Sequence, residues 1–147
     1  MDSGLRGNDR GRGCRWARFA AALALIAAGP AAATPLIIHY NERPPQHYTQ
    51  HGKPQGEAIA KVTAALKTAG IAYGMRGTPA KQQLVLLKEN KAPACMLAWV
   101  DLPGRERHGK FSAVLYKDQP KGSERRLWCT LATPDETMQR LNAALIK

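Results

Sequence analysis

Apolar residues gather along this chain in two alternating kinds of pattern. Leu36-Ile37-Ile38-His39-Tyr40 is nearly continuous, as expected of a strand covered on both faces, and that implies a parallel sheet. Gly56 then precedes a stretch in which Ile59, Val62, Leu66 and Ala69 recur at helical spacing until Gly70 ends it. Ile71 to Arg76 reads as a short second strand. Thr78 and Pro79 form a cap and first-turn pair for a helix carrying Leu84 and Leu87, and Asn90 closes it. Ala94-Cys95-Met96-Leu97-Ala98-Trp99-Val100 is another unbroken apolar strand. Strand, helix, strand, helix, strand with short connections predicts an α/β fold: an open, mostly parallel sheet flanked by helices.

Beyond Val100 the pattern changes. Asp101 to Lys110 is a charged loop with turn residues, and Phe111 to Tyr116 reads as a further strand. Lys117 to Arg126 is polar and turn-rich, and Leu127 to Leu131 supplies a last strand. Thr133-Pro134-Asp135-Glu136 has the form of a capping box, after which Met138, Leu141 and Leu145 give a final helix its apolar face. The sequence shows no internal repeat and no low-complexity tract.

The N-terminal stretch belongs to a different class of segment. Arg15 and Arg18 precede the apolar run Phe19 to Gly29, and the small residues Ala31-Ala32-Ala33 follow. Basic, apolar and small regions in that order predict a cleavable secretory leader over residues 1–33, with export to a periplasm-type compartment. The apolar run is about half the ~20 residues that a membrane-spanning helix needs. Cys14 lies ahead of the run, where it is badly placed to carry a lipid anchor. One domain is expected over 34–147.

Removing the leader changes the charge as well. From Thr34 onward there are 17 Lys and Arg against 9 Asp and Glu, a net charge of 17 − 9 = +8 instead of +11 for the whole chain. Such a bias favours anionic small molecules, acidic surfaces or nucleic acid, and is silent about fold. Cys95 and Cys129 remain in the exported part. In an oxidising compartment they either pair or stand as ordinary buried thiols, and their spacing does not decide between the two; a reactive thiol is the third reading, disfavoured because no basic neighbour lowers its pKa.

Enzyme chemistry finds little support in the residues. There is no Gly-rich phosphate loop, no Gly-x-Ser-x-Gly elbow and no paired carboxylates placed for acid–base work. His39, His47 and His51 are spread over a strand and a loop without the spacing of a metal motif. Neither a metal nor another cofactor is expected, and the chain reads as a non-enzyme.

Several segments carry a family resemblance. Tyr40-Asn41-Glu42-Arg43-Pro44-Pro45, Gly56-Glu57-Ala58-Ile59, Trp99, Arg105-Glu106, and Phe111-Ser112 with Tyr116 resemble, in matching order, the bacterial family 3 extracellular solute-binding proteins. These proteins serve polar amino-acid ABC transporters. Leu127 to Lys147 resembles the closing strand and helix of the same family. The resemblance implies one lobe of a periplasmic binding protein type II fold. It also implies that Arg105, six residues before Phe111, holds the carboxylate of an amino-acid ligand. A guanidinium fork matches a carboxylate with two parallel hydrogen bonds. Tyr40 and Tyr48 flank the Pro44-Pro45 turn, where the family places an aromatic ring over the ligand, and Trp99 stands at the expected edge of the cleft.

The resemblance also exposes a gap. Relatives cross into an entire second lobe after the strand equivalent to Phe111–Tyr116, whereas only the short linker 118–124 occupies that place here. A lone lobe leaves its ligand half solvated, so weak or partner-dependent binding is expected. The partner would be an ABC transporter permease or a separate chain supplying the other lobe. Two alternatives stand beside this: a non-functional remnant of a transporter gene, and a basic binder of nucleic acid or anionic surfaces. The last is disfavoured because Trp99 and Trp128 lie in apolar strands instead of being interleaved with basic residues, so no nucleic-acid partner is expected.

Overall fold

The structure is a computed structural model that describes Gly29 and residues 34–147. Apart from Gly29, the predicted leader, Cys14 included, therefore lies outside the described residues. A five-stranded sheet forms the centre, built from β1 (Leu36–Tyr40), β4 (Tyr73–Gly77), β5 (Ala94–Val100), β6 (Lys110–Lys117) and β7 (Glu124–Cys129). Two short strands, β2 (Tyr48–Gln50) and β3 (Lys53–Gln55), pair apart from it. The helices are α1 (Glu57–Thr68), α2 (Ala80–Glu89) and α3 (Asp135–Ile146), with a single 3-10 turn at Arg105–Arg107.

The spatial order of the sheet is β4-β1-β5-β7-β6. β1 pairs in parallel with both β4 and β5, and β7 runs antiparallel to its two neighbours. Four strands thus point one way and β7 alone returns, so the sheet is mostly parallel, as the unbroken apolar runs require.

The two faces of the sheet are covered differently. Leu36, Ile38 and Tyr40 of β1, Cys95 and Leu97 of β5, and Leu127 and Cys129 of β7 pack beneath α1 and α3. From α1 come Ile59, Val62 and Leu66, and from α3 Met138, Leu141 and Leu145, all at the spacing read from the sequence. On the opposite face Ala94, Met96 and Trp128 meet Leu84, Leu86 and Leu87 of α2, together with Trp99 and Phe111.

The ends of the elements explain several differences from the predicted pattern. Gly70 ends α1 in the left-handed region (φ 65°), and the Gly70 and Ile71 amides donate to Lys67 O and Leu66 O at 3.1 and 3.0 Å. These paired bonds satisfy orphan helix carbonyls and use up Ile71, so β4 begins only at Tyr73. Asn90 closes α2 at φ 47°, as expected. Neither predicted threonine cap forms. Thr78 instead shares a 2.7 Å hydrogen bond with His39 Nδ1, and Thr133 binds Thr130 Oγ1 at 3.1 Å, so both hydroxyls serve the tertiary core. The N-cap positions fall to Pro79 and Pro134.

Two further elements escaped the sequence pattern. The β2–β3 hairpin turns through His51 and Gly52 with positive φ at both residues, the geometry that suits a two-residue hairpin. Its strands are polar and show no apolar alternation. β7 starts at Glu124 instead of Leu127, because Glu124, Arg125 and Arg126 pair with β6 although all three are charged.

Cys95 and Cys129 face each other across the antiparallel β5–β7 ladder and form a disulfide. Both are fully buried. Register decided what spacing could not.

Candidate functional site

β1 leads outward to β4 on one side of the sheet, and β5 leads outward to β7 and β6 on the other. The strand order therefore reverses between β1 and β5, and in open α/β sheets the crevice beyond the carboxyl ends of such strands is the usual ligand position. Here that crevice is a depression of about 130 Å³, bounded by Asn41, Arg43, His47, Trp99 and Arg125, with Ala80 at the start of α2. Larger hollows of about 350 and 420 Å³ exist elsewhere. The first is at the amino end of the sheet, and its one charged side chain, Arg140, is already bonded to the carbonyls of Ala69 and Gly70. The second lies along α1 and offers Lys67 alone as a charged group.

Each wall of the depression is positioned by local structure. After β1 the chain folds into a closed loop in which Arg43 and His47 exchange backbone hydrogen bonds of 2.7 and 3.1 Å. Gly56 lets the hairpin pass across this loop, since a Cβ there would lie 2.2 Å from Gln46 O. The His47 ring is buried, and its Nδ1–H donates to Asn41 O at 2.6 Å. That bond leaves Nε2 of the neutral ring as an acceptor, and Nε2 is buried without a partner. Burial, reinforced by the Arg43 and Arg125 guanidiniums, holds the His47 pKa below its ordinary value against the opposing effect of the Asn41 hydrogen bond.

Trp99 owes its direction to a bulge. Ala98 takes φ 65°, and the β5–β7 register shifts between Met96 and Trp99. Leu97 and Ala98 consequently both pack on the α1 face, while Trp99 swings to the α2 face. There the indole N–H donates to Gln83 Oε1 at 2.8 Å, Gln83 Nε2 donates to Thr78 O at 2.8 Å, and Thr78 reaches His39. A polar chain from β5 through α2 to β1 thus fixes the indole plane.

Arg105 lies over both the Trp99 and Trp128 rings, 5.1 and 5.4 Å from their centroids, and its Nη1 donates to Val100 O at 2.6 Å. Burial and the neighbouring Arg125 charge lower its pKa. Trp99 and Arg105, predicted separately, are therefore brought together. Tyr40 is placed differently: its side chain is in the α1-side core and its hydroxyl is tied to Thr49 Oγ1 at 2.9 Å, so it supports the hairpin and not the wall of the depression. Tyr48 lies half-buried at the head of β2, opposite Gln55, and does not bound the depression.

The residues missed from sequence form an ion cluster. Asp118 Oδ2 accepts from Arg43 Nη2 at 3.2 Å and from Arg125 Nε at 2.5 Å, and Arg125 Nη1 reaches Ala98 O at 3.1 Å. Beside them the Tyr116 hydroxyl is buried without a partner; desolvation is the main cause of its raised pKa. Among the described residues no three His, Cys, Asp or Glu side chains converge as a metal site would need.

No family model and no curated protein matches the sequence. Solved structures do match the fold. Domain 1 of TmArgBP in its arginine-bound form is similar with a TM-score of 0.59 at 14% identity, over 76% of this chain and 90% of that one. A point mutant of the same arginine-bound domain gives 0.61 at 13% identity, over 76% and 88%. The arginine-, lysine-, histidine-binding protein ArtJ from the thermophilic bacterium Geobacillus stearothermophilus gives 0.50 at 18%, over 55% of this chain and 36% of that one. The chain has the fold of a single lobe of an amino-acid-binding protein. Among the described residues no helix is long and apolar enough to cross a membrane.

Proposed function

We propose that this chain is an exported, single-lobe solute-binding module, residues 34–147, that takes an amino acid or similar small carboxylate at the β1/β5 crevice. The observation that carries the reading is the stacking of Arg105 on Trp99 at the edge of the depression that Trp99 and Arg43 bound. An aromatic face beside guanidinium forks suits a ligand with both a carboxylate and a cationic or apolar part. In this reading Arg105 contacts the carboxylate with the N–H groups that Val100 does not use, and Trp99 packs against the ligand. The arginine-bound domain of TmArgBP supports the idea that a lone lobe of this fold can hold a solute.

Affinity is expected to be weak. The β6–β7 hairpin stands where the family resemblance puts the crossing into a second lobe, so one side of the ligand stays in water unless a permease or a separate chain covers it. Titrating the purified protein with the common amino acids, followed by the Trp99 indole resonance, tests this. Dissociation constants of roughly millimolar, about −4 kcal/mol, are expected for at least one amino acid, and Arg105→Lys should abolish the response. Silence toward every amino acid would overturn the reading, and micromolar affinity would overturn the weak-binding part of it.

A further inference from the structure

The crevice is already occupied by part of the chain itself. Arg125 enters it from β7, with 19% of its side chain exposed, and its guanidinium bridges the Ala98 carbonyl on the bulge and the Asp118 carboxylate at the end of β6. The two groups that hold this guanidinium, a carboxylate and a carbonyl, would hold any cation of similar shape. Ala98 O and Asp118 Oδ2 are acceptors, Trp99 stands at the same edge, and His47, which also bounds the depression, has a buried Nε2 acceptor without a partner. A buried acceptor left unpaired is costly, and a ligand bringing an N–H donor would relieve it. The buried Tyr116 hydroxyl beside Arg43, Asp118 and Arg125 is a second such group.

We infer that Arg125 is an internal plug: its guanidinium stands in for the guanidinium or ammonium group of a cationic solute, which enters the crevice only when Arg125 is displaced. The inference rests on the proposed solute-binding reading and narrows its ligand to molecules with a cationic group. Arg43 also binds Asp118, with 43% of its side chain exposed, so the carboxylate keeps one partner when Arg125 leaves. The exchange then replaces one guanidinium by another without stranding a buried charge. The β6–β7 hairpin is what seats the plug. Asp118 N donates to Ser123 O at 2.9 Å and Gly122 N to Asp118 O at 2.6 Å, and this tight turn places Asp118 within reach of Arg125 at the start of β7.

The test uses Arg125→Ala, Arg125→Lys and the unmutated protein, each titrated with ethylguanidinium chloride and with arginine at constant ionic strength. Binding is read from the Trp99 indole resonance, and folding from circular dichroism. The expected result is at least tenfold tighter binding of both cations by Arg125→Ala, with Arg125→Lys close to the unmutated protein. If Arg125→Ala does not fold, Arg125→Gln, which keeps most of the stem without the charge, is read in the same way. Binding of arginine by the unmutated protein with no gain in the emptied variant would overturn the plug and leave the solute-binding reading intact. Binding by the emptied variant alone would support the plug and remove native solute binding. Silence in all three proteins would overturn both.

Discussion

The two faces of the sheet are built by different means. Beneath α1 and α3 the packing is almost wholly apolar, with Ile38, Val62, Leu66, Leu127 and Leu141 all fully buried and the Cys95–Cys129 disulfide among them. Beneath α2 the smaller cluster is aromatic and is threaded by polar groups: Phe111 stacks on Trp128 with ring centroids 5.3 Å apart, Trp99 leans on Trp128 at 5.4 Å, and the fully buried Gln83 bonds at both ends of its amide. Aliphatic packing is non-directional and contributes stability in proportion to the area removed from water. Hydrogen bonds and cation–π contacts contribute less but fix orientation, as they do for Trp99 at the edge of the crevice and for Arg105 stacked on it.

The comparison breaks most sharply at the disulfide. It closes a loop of 34 residues, and replacing both Cys95 and Cys129 by Ala should cost about 4 kcal/mol in urea unfolding. The Trp99 indole shift should stay in place in the fraction that remains folded. Leu141→Ala tests the aliphatic face without touching the crosslink, and about 3 kcal/mol should be lost because a fully buried leucine leaves a cavity. On the other face Gln83→Leu should cost less, about 2 kcal/mol, by stranding the Trp99 indole N–H and Thr78 O. Unlike the first two changes, it should broaden or move the Trp99 resonance. An unmoved Trp99 in Gln83→Leu would show that packing alone orients the indole.

The smallest expected effect is pH dependence. His39 and His47 both have pKa values held below the ordinary 6.5, in each case chiefly by burial. The unfolded chain therefore binds more protons than the folded one as pH falls through 6.5, so the stabilisation is complete above that value and is lost below it. The melting temperature should drop between pH 7 and 5, and the double variant His39→Asn/His47→Gln should flatten that drop. A slope unchanged by the double variant would assign it to other groups.

Legibility from sequence followed the same division. Leu36–Tyr40, the α1 stripe Ile59, Val62 and Leu66, the strand Ala94–Val100 and the closing helix all announced themselves through apolar period, because each buries a continuous face. The polar hairpin, the start of β7 and the cluster of Arg43, Asp118 and Arg125 gave no such signal, since charged residues in a strand look like loop until their partners are known. Trp99 and Arg105 were each read from the sequence as candidates, but their stacking was not legible, because it depends on the bulge at Ala98.

The alternation of strands and helices and the aliphatic face follow from residue order alone, since hydrophobic burial acts through period and needs no exact partner. The disulfide, the aim of Trp99, the withdrawal of Tyr40 into the core and the seating of Arg125 in the crevice arise from the assembled fold. Each of these depends on directional contacts between residues far apart in the chain, and such contacts exist only once register and strand order are set.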